Sequence, residues 1–123
     1  MSAQKGAYGP IALTALDTAG GVLSLANPEG CDLIVTKVIL NTTHVATSAC
    51  TVDAGIAANG TTSADNLIDG QDVNAAVGAF GSPSGTDGLP AKKWGTSEYL
   101  TVSMKTGAAA GLTGNAYVEY IRV

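Results

Sequence analysis

The chain has 123 residues, of which 46% are apolar, 13% are charged and 5% are aromatic. A chain of this length is typical of one domain, and its apolar content predicts a packed core rather than a disordered chain. The formal net charge is −4, and the six Lys and Arg residues are spread along the sequence. Because nucleic-acid binding needs a clustered basic surface, this composition argues against a nucleic-acid partner.

The sequence also predicts no membrane partner. No stretch approaches the roughly 18 apolar residues that a membrane helix needs, and the N-terminal residues MSAQKG contain no apolar run typical of a secretion signal. We therefore expect a soluble protein that is made in a cytosol. In that compartment Cys31 and Cys50 are expected to be reduced and buried, with a disulfide between them as the alternative.

The N-terminal part of the chain predicts an arm followed by a hairpin. Residues 1–9 are polar, contain glycine and show no periodicity, so we expect a flexible N-terminal arm before a β-sandwich domain over 10–123. Within that domain, apolar runs at 11–16 and 22–25 flank Gly20 and Gly21. Paired glycines supply the positive φ that a tight connection demands, so this pattern predicts a first hairpin.

The strongest strand signal is the segment 31–43, CDLIVTKVILNTT. A helix is the competing interpretation, but the density of β-branched residues and the turn residues on either side favour a strand. Both alternating sets of positions are largely apolar. We therefore expect this strand to be central in a sandwich or covered on both faces.

The middle of the chain is less regular. Residues 49–58 predict a further strand, whereas residues 59–97 hold many turn formers and few clean apolar runs. We expect a long irregular loop region around 59–97. A loop of that length in a compact domain is usually functional or contains short elements of its own.

The C-terminal part predicts a second hairpin. Residues 99–105 and 116–123 alternate apolar and polar side chains, and an Ala- and Gly-rich segment joins them. Strands recur along the chain at regular spacing, and no segment predicts a helix longer than about 10 residues. The expected fold is therefore an all-β, single-domain antiparallel β-sandwich.

The sequence offers few residues for catalysis or metal binding. His44 is the single histidine, and it stands where a strand runs into a polar loop, which favours a solvated side chain over a catalytic base. The acidic segment 65–72 partly matches a calcium-binding EF-hand loop, but Leu67 and Ala76 stand where ligands are required. We therefore expect a protein that is not an enzyme and has no catalytic residue, no metal and no cofactor.

One segment predicts a contact surface. Lys92 and Lys93 precede Trp94, the only tryptophan, in a loop just before a strand. Tryptophan is enriched at the energetically important positions of interfaces, so these three residues are the first candidates for partner contact, and Tyr8 and Phe80 are further candidates. The alternative for Trp94 is that it fills one end of the sandwich core beneath a long loop.

Four segments of the chain carry a resemblance to a known group of proteins. They are 11–21, 27–35 with the turn NPEG, 66–70 with the sequence NLIDG, and 106–120 with the run TGAAAGL. Together they resemble small proteins encoded among the head genes of tailed phages, and the chain is similar in size and composition to the decoration, or cement, proteins of phage capsids. The motifs are structural turns, so no site residue is carried over.

The resemblance implies a fold, a role and a location. Several decoration proteins are jelly-roll β-sandwiches that bind the outside of the capsid shell. The resemblance therefore implies a jelly-roll-like structural virion protein that stabilises the shell and has the major capsid protein as its partner. It also implies that this protein is assembled in the host cytoplasm. We also expect self-association as a dimer or trimer. The alternative function is a head-fibre or tail-associated module that adheres to a glycan on the host surface.

Overall fold

A computed structural model describes residues 4–123 as two antiparallel β-sheets that pack face to face. The nine strands are, in chain order, β1 (Lys5–Ala12), β2 (Leu23–Ala26), β3 (Leu33–His44), β4 (Cys50–Ala57), β5 (Ile68–Asp72), β6 (Gly78–Gly81), β7 (Lys92–Trp94), β8 (Tyr99–Gly107) and β9 (Thr113–Arg122). Within residues 4–123 there is no helix long and apolar enough to cross a membrane. The predicted all-β sandwich is confirmed.

The strand order is that of a jelly roll. One sheet has five strands in the order β1-β9-β3-β6, with β7 paired to the other end of β3, and the second sheet has four strands in the order β2-β8-β4-β5. Most successive strands of the chain therefore belong to different sheets. This alternation between sheets is the topology of a jelly roll, here with β7 as an additional short strand.

The core lies between the inner faces of the two sheets. In β3 the side chains of Leu33, Val35, Val38 and Leu40 are at most 1% exposed, and their neighbours along the strand are more exposed. Full burial of such a side chain stabilises the fold by about 1.5–3 kcal/mol. The strand is central, as the sequence predicts, with β9 on one side and β6 and β7 on the other.

Both predicted hairpins are wrong. The strand predicted at 11–16 overlaps β1 only at residues 11 and 12, whereas the other three predicted strands are present as β2, β8 and β9. Strand β1 belongs to the five-stranded sheet and pairs with β9, whereas β2 belongs to the four-stranded sheet and pairs with β8. Likewise β8 pairs with β4, and β9 pairs with β3. The connections 13–22 and 108–112 therefore cross between the sheets. Alternating polarity predicts a strand with one buried face, but it does not specify which strand is its partner.

The expected flexible arm is also wrong for residues 5–9. These residues form the first part of β1, and Lys5, Gly6, Ala7 and Tyr8 each pair with a residue of β9. Residues 1–3 of the expected arm lie outside the described residues. Glycine, lysine and a single tyrosine show no clear alternation, so β1 takes its conformation from pairing with β9 rather than from local preference.

The region 59–97 contains three short strands, β5, β6 and β7, separated by loops. Leu67 and Ile68 at the start of β5 are fully buried, and Ser82, just after β6, accepts a hydrogen bond from the backbone N–H of Val38 at 2.8 Å. Thus the irregular third of the chain contributes both to the core and to both sheets.

Candidate functional site

The outer face of the four-stranded sheet is covered by the chain itself. Loop residues of 57–67 lie over β8 and β4, and the hydroxyl of Thr101 donates to the carbonyl of Thr62 at 2.9 Å. The backbone N–H of Gly20 likewise donates to the hydroxyl of Ser103 at 2.8 Å. Thr101 and Ser103 are at most 1% exposed although they lie on the outer face. The middle of this face is therefore covered by the chain's own loops.

The outer face of the five-stranded sheet, by contrast, is partly exposed along its length. Residues paired in register share a face of a sheet, which places Tyr117 beside Ile39 and Ile121 beside Ile34. All four side chains are half-buried or exposed, and Tyr117 is 38% exposed. Two apolar cross-strand pairs therefore face outward with only their neighbours in the sheet around them, and no segment within 4–123 buries them.

Charged and small residues surround these apolar pairs. Glu119 of β9 lies opposite Lys37 of β3, between the two pairs, and Lys5 lies beside Ile121 at the edge of the sheet. Alanine and glycine occupy further outward positions on the two edge strands β1 and β6, namely Ala7, Ala79 and Gly81. Because short side chains stand at its edges, this face is accessible to a broad surface rather than to a small molecule alone.

An open groove of about 370 Å³ crosses the same face. Its lining comprises Lys5, Gly6, Ala7, Thr36, Glu119 and Tyr120. The floor of the groove follows β9, between β1 and β3. The pairing of β3 with β9 shifts register at Thr36, and the Thr36 hydroxyl donates to the carbonyl of Glu119 at 3.3 Å. The aromatic ring of Tyr120 is buried, so the groove offers no exposed ring on which a sugar could stack.

Trp94 does not lie on the surface. Its side chain is fully buried, its ring packs edge-to-face on Tyr120 with centroids 6.5 Å apart, and its Nε1–H donates to the carbonyl of Glu98 at 2.9 Å. A side chain in this position has no area to offer a partner. The structure thus corrects the assignment of Trp94 as a contact residue and agrees with the alternative, in which it fills one end of the core.

The other four predicted contact residues all lie on the five-stranded sheet but not together. Tyr8 is 44% exposed on the edge strand β1, while Phe80 lies half-buried on the opposite edge strand β6. Lys92 and Lys93 lie on β7, and the Lys93 ammonium is 3.5 Å from the Asp32 carboxylate. Of these four, only Lys93 is in register with an outward residue, Ile34.

Sequence reasoning missed the residues at the centre of this face. The signal was present in 31–43, where both alternating sets of positions are apolar. That pattern predicts a strand that is central in a sandwich or covered on both faces. Strand β3 is central, but it is not covered on both faces, because the outward residues Ile34 and Ile39 are only half-buried. An outward apolar set on a strand without a cover is a signal for a partner surface.

A separate cluster of acidic side chains lies on the four-stranded sheet. Ligand oxygens of Asp53, Asp65 and Asp69 all lie within 4.8 Å of one another. Such a set could hold a cation, but here the Lys105 ammonium lies 2.5 Å from Asp69 Oδ1 and supplies positive charge. Asp53 also accepts a hydrogen bond from the backbone N–H of Gly70 at 2.9 Å. Two of these carboxylates, those of Asp65 and Asp69, belong to the segment 65–72 that partly matches an EF-hand loop. The third, that of Asp53, belongs to β4.

The charges of this cluster shift the pKa values of its members in opposite directions. The ion pair with Lys105 lowers the pKa of Asp69. Burial raises the pKa of Asp53, and the charges of Asp69 and Asp65 add to that effect. Asp87 lies in the neighbouring loop, and the charge of Asp65 raises its pKa. One cation among four carboxylates makes this side of the molecule acidic.

A second network joins the 27–31 turn to β9. Arg122 donates to both carboxylate oxygens of Glu29, at 3.0 and 2.9 Å, and the Tyr120 hydroxyl donates to Glu29 Oε2 at 2.5 Å. The bond to Arg122, followed by that to Tyr120, lowers the pKa of Glu29, while burial and Glu29 raise the pKa of Tyr120 to about 12. A two-pronged pair of this kind holds its geometry well.

We expect Glu29→Gln to destabilise the protein at pH 7 and to destabilise it less at pH 3. Because the folded-state pKa of Glu29 is lowered, its ionised form stabilises the fold above the ordinary carboxyl pKa. That stability is lost as the pH falls through the lowered value. Urea midpoints of both proteins at the two pH values measure the difference. Glu119→Gln, which removes an exposed carboxylate, is the control, and an equal deficit at both pH values would contradict the assignment.

The candidate groups for covalent chemistry are His44, Cys31 and Cys50. His44 is exposed at the end of β3, in register with Thr113. Cys31 and Cys50 are both free, the first half-buried and the second buried, and burial raises the pKa of the Cys50 thiol. A buried thiol with a raised pKa is a poor nucleophile.

No family model, curated protein or solved structure matches this chain.

Proposed function

We propose that this chain is a structural virion protein that binds the outer surface of a phage capsid and stabilises the shell. Its partner is the major capsid protein, it has no catalytic activity, and it is located on the capsid exterior after assembly in the host cytoplasm. The turn motifs of the sequence support this proposal through their resemblance to phage head proteins. The jelly-roll sandwich supports it because that is the fold which the resemblance implies.

The observation that carries the proposal is the difference between the two outer sheet faces. The chain covers the middle of the outer face of its four-stranded sheet with its own loops, but leaves the apolar pairs Tyr117–Ile39 and Ile121–Ile34 facing outward. Outward apolar pairs with charged and polar residues between and around them match the mixed composition of a protein–protein interface. We therefore assign the capsid contact to the outer face of the five-stranded sheet.

Binding through a broad, flat face explains how such a protein would stabilise a shell. A surface of this kind can rest on more than one capsid subunit, and each copy then binds the assembled shell but not the dissociated subunits. Binding to the assembled state alone shifts the equilibrium toward assembly by mass action. Self-association as a dimer or trimer would multiply the contacts that each assembly makes.

Virion composition tests the proposal. We expect this chain to co-purify with intact virions of the phage that encodes it, in a copy number that matches capsid geometry. Shells that lack it should lose their contents at a lower temperature, and adding the purified protein should restore the higher temperature. Absence of the chain from purified virions, or a monomer that instead binds host glycans tightly, would contradict the proposal.

We expect Tyr117→Ala to lower shell occupancy at least tenfold. Truncating a central aromatic residue of an interface typically costs more than about 1.4 kcal/mol of binding free energy, which is a factor of ten. Leu89→Ala is the matched control, because Leu89 is 44% exposed but lies in the loop between β6 and β7. Occupancy is measured by quantitative mass spectrometry of shells incubated with each protein. Equal occupancy by the two variants would place the contact elsewhere.

A further inference from the structure

Charge is segregated between the two sheets. Five of the six Lys and Arg residues lie on strands of the five-stranded sheet, where Glu119 is the only acid, and the strands of this sheet therefore carry a formal charge of +4. The strands of the four-stranded sheet carry Lys105 and three aspartates, which gives a formal charge of −2. Three of these cations, Lys5, Lys37 and Lys93, are in register with outward residues, so together with Glu119 the strands give the outer face a formal charge of +2 in a protein whose net charge is −4.

Two cations of the outer face, Lys5 at its edge and Lys37 opposite Glu119, form no ion pair within the described residues. Arg122 pairs with Glu29 and Lys93 with Asp32, so these two charges are offset by acids of the loop between β2 and β3. Lys5 and Lys37 have no acidic partner within 4.0 Å in residues 4–123. The Lys37 stem lies over Gly81, where an added Cβ would be 2.8 Å from Lys37 Cε.

We infer that the surface which receives the outer face of the five-stranded sheet is an acidic patch of the capsid protein, bound through Lys5 and Lys37. The inference rests on the proposed function and adds the chemistry of the partner. Carboxylates on the shell pair with these two ammonium groups, while the apolar pairs beside them exclude water. The acidic cluster around Asp53 lies on the other sheet and is repelled by the same surface, so charge also selects the orientation in which the protein docks.

The face fits a protein better than a nucleic acid. Its cations flank half-buried isoleucine side chains, and Glu119 lies among them. A nucleic-acid surface instead concentrates cations along the phosphate backbone and lacks an acid at its centre. Apolar residues with charged neighbours on a flat sheet match the composition of a protein interface.

The test measures the affinity of the purified protein for shells that lack it, at increasing NaCl concentration. We expect affinity to fall as NaCl rises from 50 to 300 mM, because exposed ion pairs are screened by salt. The variant Lys5→Gln/Lys37→Gln should bind about five- to tenfold more weakly at 50 mM NaCl, with most of the salt dependence gone. Neither substitution breaks an ion pair of the folded chain.

A control variant separates local charge from net charge. Ala58→Glu/Ser63→Glu changes the net charge by the same amount, and both positions are exposed on the loop that covers the four-stranded sheet. We expect its affinity to remain within twofold of the wild type. Carbodiimide cross-linking, which joins amines directly to carboxylates, should link Lys5 and Lys37 to aspartate or glutamate residues of the shell protein.

The outcomes distinguish the inference from the proposed function. If the wild type binds shells but its affinity is independent of salt, or if both variants weaken binding equally, the inference is wrong and the function stands. Tight binding of a 20-base-pair DNA duplex through the same lysines would also overturn it. If the wild type does not bind shells at all, the proposed function fails and the inference fails with it.

Discussion

Trp94→Ala is expected to destabilise the protein by about 3–5 kcal/mol, the cost of removing a buried aromatic side chain from a core. Trp94 is fully buried and packs edge-to-face on Tyr120, and alanine would leave a cavity between them. It would also leave the carbonyl of Glu98 without the indole N–H as its donor. The total stability of a domain is about 5–15 kcal/mol, so this variant should be close to unfolding at 37 °C.

Guanidinium unfolding followed by far-UV circular dichroism measures this loss, because the variant has no tryptophan fluorescence. Trp94→Phe is the first control, and it should recover part of the loss by refilling the cavity. Tyr8→Ala is the second control, since Tyr8 is 44% exposed on an edge strand and should cost less than about 1 kcal/mol. A stable Trp94→Ala protein with impaired partner binding would restore Trp94 as a contact residue.

Gly107→Ala is expected to be the most damaging of the glycine substitutions. Gly107 has a φ of +80°, which for a residue with a side chain costs about 1–2 kcal/mol. A Cβ at this position would also collide with the backbone carbonyl of Ala49, which cannot move without disturbing the pairing of β4 with β8. Overpacking of this kind adds about 1–3 kcal/mol.

Gly30→Ala is a matched control for the conformational part of that cost. Gly30 has a φ of +71°, and a Cβ there would have no neighbour within 4 Å. The difference between the two urea midpoints therefore isolates the collision with Ala49. Equal destabilisation by the two variants would show that the close approach of β4 and β8 relaxes without cost.

The strands were the part of the fold most accessible from the sequence. Dense β-branched residues identify β3, and alternation from Leu100 to Met104 identifies β8, because both patterns report on one buried face of a pleated strand. Strand β1 has no such pattern, and it is ordered by pairing with β9 more than 100 residues away in the chain. Long-range pairing depends on which faces meet in space, and local preference carries little of that information.

The candidate site was less accessible than the fold for a related reason. Trp94 stands between Lys93 and Gly95 in a segment rich in turn formers, and its burial depends on Tyr120 and Glu98. The segregation of lysines from aspartates becomes visible only when strands are assigned to sheets. Lys5 and Lys37 are distant in sequence, yet they lie on the two strands that flank β9. Lys5 is paired with Ile121 and Lys37 with Glu119.

The central place of β9 has a consequence for how the protein is made. Strand β9 is hydrogen-bonded to β1 on one side and β3 on the other, although both precede it by at least 69 positions in the chain. While the ribosome is still translating, these two strands are therefore left with unsatisfied edges that other nascent chains could occupy. The five-stranded sheet is complete only after residue 122 has emerged, so the edges of β1 and β3 that pair with β9 stay open until then.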